Sequence, residues 1–153
     1  MKGQRLRRRR ERDRESGATV VEFVVLTPIL FLLMFGSVQI GLALFARHVA
    51  VSAAQEGARK AREEAANPNA NWQTDADNAT TTWVDQLLGN LLQGSPLPEP
   101  QEPVPMTDPY PEVGMKVTFN VVSVVPFWTF TVESTSVGPV ECFYAVDGHC
   151  NGD

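Results

Sequence analysis

Between Phe23 and Ala46 the chain carries no ionisable side chain, and Phe, Leu, Val, Ile and Ala dominate the stretch. As a helix rising ~1.5 Å per residue, this run extends about 36 Å, enough to cross a hydrocarbon core of about 30 Å with some tilt. It reads as one transmembrane helix. A secretory signal peptide has a shorter apolar region followed by a small-x-small cleavage site. Here Leu44 occupies the place, two before Ala46, where such a site needs a small residue.

The charge distribution sets an orientation. Residues 1–15 hold eight basic side chains against three acidic ones, whereas the rest of the 153-residue chain is strongly acidic and brings the net charge to −5. Basic residues flanking a first span stay on the cytoplasmic side. The expected localisation is therefore the cytoplasmic membrane, single-pass, with the amino terminus in the cytoplasm and everything after the span outside it. A uniformly basic nucleic-acid binder does not fit, so no nucleic-acid partner is expected. Cys142 and Cys150 lie close together in the outer segment, where an oxidising compartment allows a disulfide-closed loop; two free thiols are the alternative. One neighbouring His149 with two cysteines does not fill a structural tetrahedral zinc site, so no metal and no cofactor is expected.

Glu22 stands at the start of the apolar run, in Gly17-Ala18-Thr19-Val20-Val21-Glu22-Phe23. A carboxylate there is costly to desolvate and snorkels to the interface, takes up a proton or meets a cation. Snorkelling toward Arg14 and its neighbours is one reading. In the other, cutting after Gly17 frees an α-amine on Ala18, which is cationic below ~7.7–8.0. Glu22 of an adjacent subunit then neutralises it and sets the axial register.

Past the span, Ala46, Ala50, Ala54 and Ala58 recur every four residues, as do Ala53, Gly57, Ala61 and Ala65. Four-residue spacing lines each series along one helical ridge, which admits another backbone closely. Ser37 and Gly41 are added to these packing positions inside the span. The i,i+4 pairs Glu56–Lys60, Arg59–Glu63 and Lys60–Glu64 support a helix continuing into water as far as about Asn67-Pro68.

These residues resemble the TadE-like family of the tight-adherence (Flp) pilus assembly machinery. The resemblance rests on the Arg-rich leader, Gly17 followed by Glu22-Phe23, Pro28, Gly36 and Gly41, then Gln55-Glu56-Gly57-Ala58-Arg59, and covers roughly residues 16–62. It implies a minor, non-enzymatic, pilin-like membrane protein of a bacterial adhesion pilus. In processed members a prepilin peptidase cleaves after the glycine, and the glutamate at the fifth mature position is a hallmark. Those positions are Gly17, Ala18 and Glu22 here, with Phe23 in the aromatic slot. Partners implied are the membrane, other pilus subunits, the peptidase and the pilus secretion machinery. The alternative is an uncleaved membrane-anchored binding or scaffolding protein of the envelope.

The outer half reads as α+β. Residues 67–94 give a polar connector and a helix starting near Asp77 to Thr82, with Trp83, Val84, Leu87, Leu88, Leu91 and Leu92 on its apolar side. Seven of the 11 prolines fall in residues 95–112, read as an extended acidic linker. In residues 113–153, Met115 to Val121 and Phe130 to Glu133 alternate as a hairpin around Val125-Pro126-Phe127, with a third strand over Val140 to Val146. A basic leader, 1–17, and a long helix, 18–66, precede this small domain of one short helix and a three-stranded antiparallel sheet. His48 and His149 sit in no nucleophile motif, and no enzyme is expected. Asn78-Ala79-Thr80 matches a glycosylation acceptor, a pattern short enough to arise by chance.

Overall fold

The computed structural model describes residues 3–67, 69–124 and 129–141, with side chains from residue 20 onward. The first helix, α1, runs Gly3–Glu64. The chain divides within it into two units, residues 1–39 and 40–153.

In the first unit, apolar side chains from Val20 to Phe35 stand on the exposed helix surface. Pro28 lies inside the helix, where its ring removes one backbone donor. The Thr27 hydroxyl donates to the Phe23 carbonyl at 2.6 Å. The rings of Phe31 and Phe35, one turn apart, stack with centroids 5.9 Å apart.

The second unit contains the remainder of α1, then α2 (Trp72–Leu88), a 3-10 turn (Gly89–Leu91), and strands β1 (Leu97–Val104), β2 (Glu112–Val121) and β3 (Phe130–Pro139). On α1, Arg59 bridges Glu56 and Glu63, and Lys60 Nζ lies 2.6 Å from Glu64 Oε1. These pairs tie successive turns on the wet side of the helix. The strands form an antiparallel sheet in the order β1-β2-β3. An α+β unit with one short helix and three strands after a long helix is what the sequence implies, but the pieces are partly different ones.

The strand period sorts β2 cleanly. Val113, Met115, Val117, Phe119 and Val121 are buried on the helix-covered face, while Lys116, Thr118 and Asn120 point the other way. On that outer face Lys116 Nζ lies 3.3 Å from Glu99 of β1 and 3.5 Å from Glu133 of β3. The hydrogen bond with Glu99, with the charge of Glu133 behind it, pushes the Lys116 ammonium above its ordinary value. Thr131 donates to Asn120 Oδ1 at 2.7 Å beside this ladder. Lys116 thus meets Glu99 directly across the β1–β2 ladder and Glu133 diagonally across the β2–β3 ladder.

The third strand corrects the sequence reading. The proline-rich stretch read as a linker over 95–112 contains β1, which pairs Leu97 to Thr118, Glu99 to Lys116 and Gln101 to Gly114. Pro98 and Pro100 are two residues apart, so the N–H groups they lack belong to one edge of the strand. That edge is the open one, because β1 has β2 on its other side. Prolines there leave the ladder to β2 intact and block strand addition from outside. The register breaks between Gln101 and Val104, where Pro103 intervenes. Of the strand expected over 140–146, Val140 and Glu141 are described and are not in a strand. Residues 142–146 lie outside the described residues, as do Val125-Pro126-Phe127 and both cysteines.

Helix α2 starts at Trp72, earlier than the expected 77–82. Its buried face is Ala76, Thr80, Val84 and Leu88, at the i, i+4 spacing of one ridge. It ends where Gly89 takes φ +44°, a conformation that favours glycine. Asp77 sits beside the buried face with its Oδ1 buried and without a hydrogen-bond partner, and burial pushes its carboxyl above the ordinary aspartate range. An acid with a raised folded-state pKa gives a contribution that is fully present below its unfolded value and is lost as pH rises through the folded value. Asp77→Asn is therefore expected to raise the melting midpoint of the full-length chain in detergent by a few degrees at neutral pH. The gain should vanish in acid, where both side chains are neutral; thermal unfolding across that pH range measures it.

Candidate functional site

With no substrate pocket suggested by the sequence, the candidate site is the set of surfaces through which the long helix meets its surroundings. Within the second unit, Ala46, Val49, Ala50, Ala53 and Ala54 form one buried cluster with Val84, Leu88, Val117, Phe119 and Val121. Further along α1, Ala58, Ala61 and Ala65 form a second with Ala76, Val113, Met115 and Val140. Both small-residue ridges are thus filled by this chain's own sheet and α2. The sequence marks Ala46, Ala50, Ala53, Ala54, Gly57 and Ala58 as positions where another backbone approaches closely; within the second unit that backbone belongs to the chain's own sheet and α2. Small residues license close approach by any backbone, and their spacing does not say whose.

Gly57 marks the tightest point. A Cβ there would lie 2.0 Å from Thr80 Oγ1 and 2.9 Å from Met115 Cγ. Thr80 is itself fixed, its hydroxyl donating to the Ala76 carbonyl at 2.8 Å. A second close approach, at Gly114, was not singled out in the sequence: its absent Cβ would meet the Ser136 carbonyl of β3 at 2.1 Å. An isolated glycine in a strand pattern is the signal that pointed to it.

The remaining site residues lie toward or within the apolar run. Ser37 is exposed and its hydroxyl donates to the Met34 carbonyl at 2.8 Å. A Cβ placed on Gly36 or Gly41 would meet nothing within 4 Å. Glu22 and Phe23 are exposed, and Glu22 enters no ion pair among the described residues. Gly17 and Ala18 belong to α1 by their backbone. Cys142 and Cys150 fall outside the described residues. The small residues therefore divide into two groups: those after residue 45 are consumed by the fold, and those before it are uncovered.

The helix Val20–Glu64 is long and apolar enough to cross a membrane, and only 11% of its most apolar stretch is buried. A core helix of equal length in a water-soluble protein would be covered by its own fold, and bare apolar surface on this scale marks contact with lipid or another apolar surface. The helix fits a single-pass membrane protein.

Residues 17–59 match the family model of TadE-like protein. No curated protein and no solved structure matches the chain. The TadE-like segment begins at Gly17, includes Glu22 and the whole apolar run, and stops at Arg59, inside α1. Its last third overlaps the buried ridge, so the segment includes both the bare helix and part of the surface on which the outer sheet is built. Everything after residue 59, including α2 and the three strands, lies beyond the match.

A polar groove of about 610 Å³ is lined by Ser52, Gln55, Glu56, Arg59, Arg62, Trp83 and Ser136. Its cations are occupied: Arg59 holds Glu56 and Glu63, and Arg62 Nε stands 3.9 Å from Glu141. It contains no nucleophile with an adjacent base. Among the described residues no cluster of His, Cys, Asp and Glu is arranged to hold a metal ion.

Proposed function

We propose that the chain is a non-enzymatic, single-pass, pilin-like component of a Tad/Flp-type pilus assembly system. The observation that carries this reading is the coincidence, in one TadE-like segment, of a bare apolar helix with a carboxylate at its entrance, five residues after Gly17. The Arg-rich head holds the amino terminus on the cytoplasmic side, and the acidic outer unit faces away from it. Because both ridges after residue 45 are buried within the chain, helix association between subunits falls to the uncovered part of α1, with Ser37 and Gly41 at positions where backbones approach. Contacts to other subunits or to the secretion machinery then use the outer unit's exterior.

In this reading a prepilin peptidase cuts after Gly17, and the Ala18 amine is met by Glu22 of a neighbouring subunit in a low-dielectric bundle, where an unpaired charge is strongly disfavoured. Mass spectrometry of the mature chain tests the cut: a chain beginning at Ala18 supports it, and one retaining residues 5–15 contradicts it. Glu22→Ala is expected to leave membrane insertion intact and to reduce co-purification with other pilus components by roughly tenfold if one charge pair worth ~1.4 kcal/mol is lost. Unchanged co-purification removes the register role.

One observation favours the second reading, an uncleaved membrane-anchored scaffold: α1 continues through Gly17 without a break, whereas a peptidase engages extended backbone. Under that reading Glu22 snorkels to the interface and the head persists as a cytoplasmic anchor.

A further inference from the structure

Within the second unit, α2 and β2 both run opposite to α1. Ala76 and Val113 cluster with Ala58, Ala61 and Ala65, whereas Val84, Leu88, Phe119 and Val121 cluster with Ala46, Val49 and Ala50. One end of the outer domain therefore lies level with Ala46, where the apolar run of α1 stops. That end is built from the finish of α2, the 3-10 turn and Val122 to Val124, which leave β2. Val122 N–H donates to the Leu91 carbonyl at 3.0 Å, Gln93 N–H donates to the Asn120 carbonyl at 2.9 Å, and Leu92 bridges to Val121. These bonds knit the turn and the strand end into one surface.

The chemistry of this end differs from that of the other. Residues 86–98 and 117–132 contain no ionisable side chain. Leu87 and Val124 are exposed here, 44% and 42% respectively, and Leu91 and Leu92 are half-buried at the rim of the cluster. On α1 the exposed Leu44 and Phe45 stand at the same level, followed by Arg47 and His48. The opposite end is charged: it carries the exposed Asp108 and Glu141, together with Glu112 and with Arg62, whose Nε lies 3.9 Å from Glu141. Water alone does not account for an uncharged end opposite a charged one. A bilayer surface does, because an apolar patch with polar uncharged neighbours settles at the boundary of headgroups and acyl chains, while carboxylates are held off.

We infer that this end of the outer domain, formed by Leu87, the 3-10 turn and Val122 to Val124, rests on the lipid boundary of the same bilayer that α1 crosses. The inference rests on the membrane-span reading, since α1 brings the surface to the bilayer. The occupant is lipid because the patch stands level with the exposed Leu44 and Phe45 of the spanning helix itself. Arg47, one residue past the apolar run, sits where its long side chain reaches phosphate oxygens. The consequence is that the outer domain is held against the membrane by two attachments, the helix and the patch.

Photocrosslinking tests this in the full chain reconstituted in phosphatidylcholine vesicles, with a benzophenone amino acid replacing Leu87, Val124, Asp108 or Leu33 in turn. The expected result is lipid adducts from positions 87 and 124 at several times the yield from position 108, alongside strong adducts from position 33. Lipid adducts from 33, with 87 and 124 no higher than 108, overturn the inference while leaving the span in place. Adducts from 87 and 124 to a second protein chain in place of lipid also overturn it. Absence of adducts from position 33 overturns the span and the inference together.

Discussion

Gly57→Leu is expected to unfold the outer unit near ordinary temperatures, while Gly41→Leu leaves it intact. The two glycines lie 16 residues apart on one helix and look alike in the sequence. At Gly57 even a methyl group collides with Thr80 Oγ1 and the Met115 side chain. Neither neighbour yields cheaply: Thr80 is tied to the Ala76 carbonyl, and Met115 is fully buried in the sheet. Overpacking by a single methylene typically costs ~1–3 kcal/mol. A leucine at this crossing must push α1 away from both α2 and β2, so the cost should reach or exceed the top of that range. Small domains have ~5–15 kcal/mol in total, so this is a large share of the available stability. At Gly41 an added Cβ meets nothing within 4 Å. Thermal unfolding of the detergent-solubilised chain, followed by circular dichroism, should show a drop in midpoint for Gly57→Leu alone. Equal midpoints for the two variants would show that α1 does not seat on α2 and β2 at Gly57.

The second large effect concerns the apolar run. Leu32→Arg combined with Leu33→Arg places two charges near its centre, each costing about 2.5–3.5 kcal/mol at the middle of a spanning helix. Their sum, about 5–7 kcal/mol, offsets most of what the remaining apolar side chains recover at ~0.3–0.6 kcal/mol each, so the doubly substituted chain should leave the membrane pellet after alkaline carbonate extraction and appear in the soluble or aggregated fraction. The outer unit packs through residues from Ala46 onward, so a purified chain of this kind should retain the unfolding transition of the outer sheet. A variant still fully resistant to carbonate would mean that residues 32 and 33 do not lie in hydrocarbon.

How much of this was readable beforehand follows from the range of the interactions involved. The span was legible because a long uncharged run needs no tertiary context to be recognised. The alternation of Met115, Val117, Phe119 and Val121 was legible for the same reason, as each residue's face follows from its neighbours two places away. Strand β1 is hidden in the sequence because a proline-rich run reads as a break unless the edge that its absent donors occupy is known. Pro98 and Pro100 at two-residue spacing leave one edge of the strand fully competent. The ridges of α1 are legible as packing surfaces, without their partner. Spacing along a helix encodes the shape of a groove, while the identity of the occupant depends on Val84, Met115 and Phe119, each more than 20 residues away in sequence. Gly57 shows the same limit: the sequence marks a close approach, and only the fold supplies Thr80.

The arrangement joins the two halves of the account. The small-residue ridges of α1 are taken by its own sheet and α2 from Ala46 onward, while its apolar side chains from Val20 to Phe35 are bare. In the proposed reading, association between subunits uses the span and its entrance at Glu22, where low dielectric strengthens pairing of charge and small residues permit close approach.

The central claim is that residues 23–46 cross the bilayer with the basic head inside and the folded unit outside. Protease added to intact spheroplasts, followed by mass analysis of the surviving fragments, tests it most directly. The account predicts that the outer unit is digested while a membrane-embedded fragment containing the apolar run survives without lysis. A chain that stays wholly protected until the cells are broken, or that is recovered intact from the soluble fraction, would contradict it.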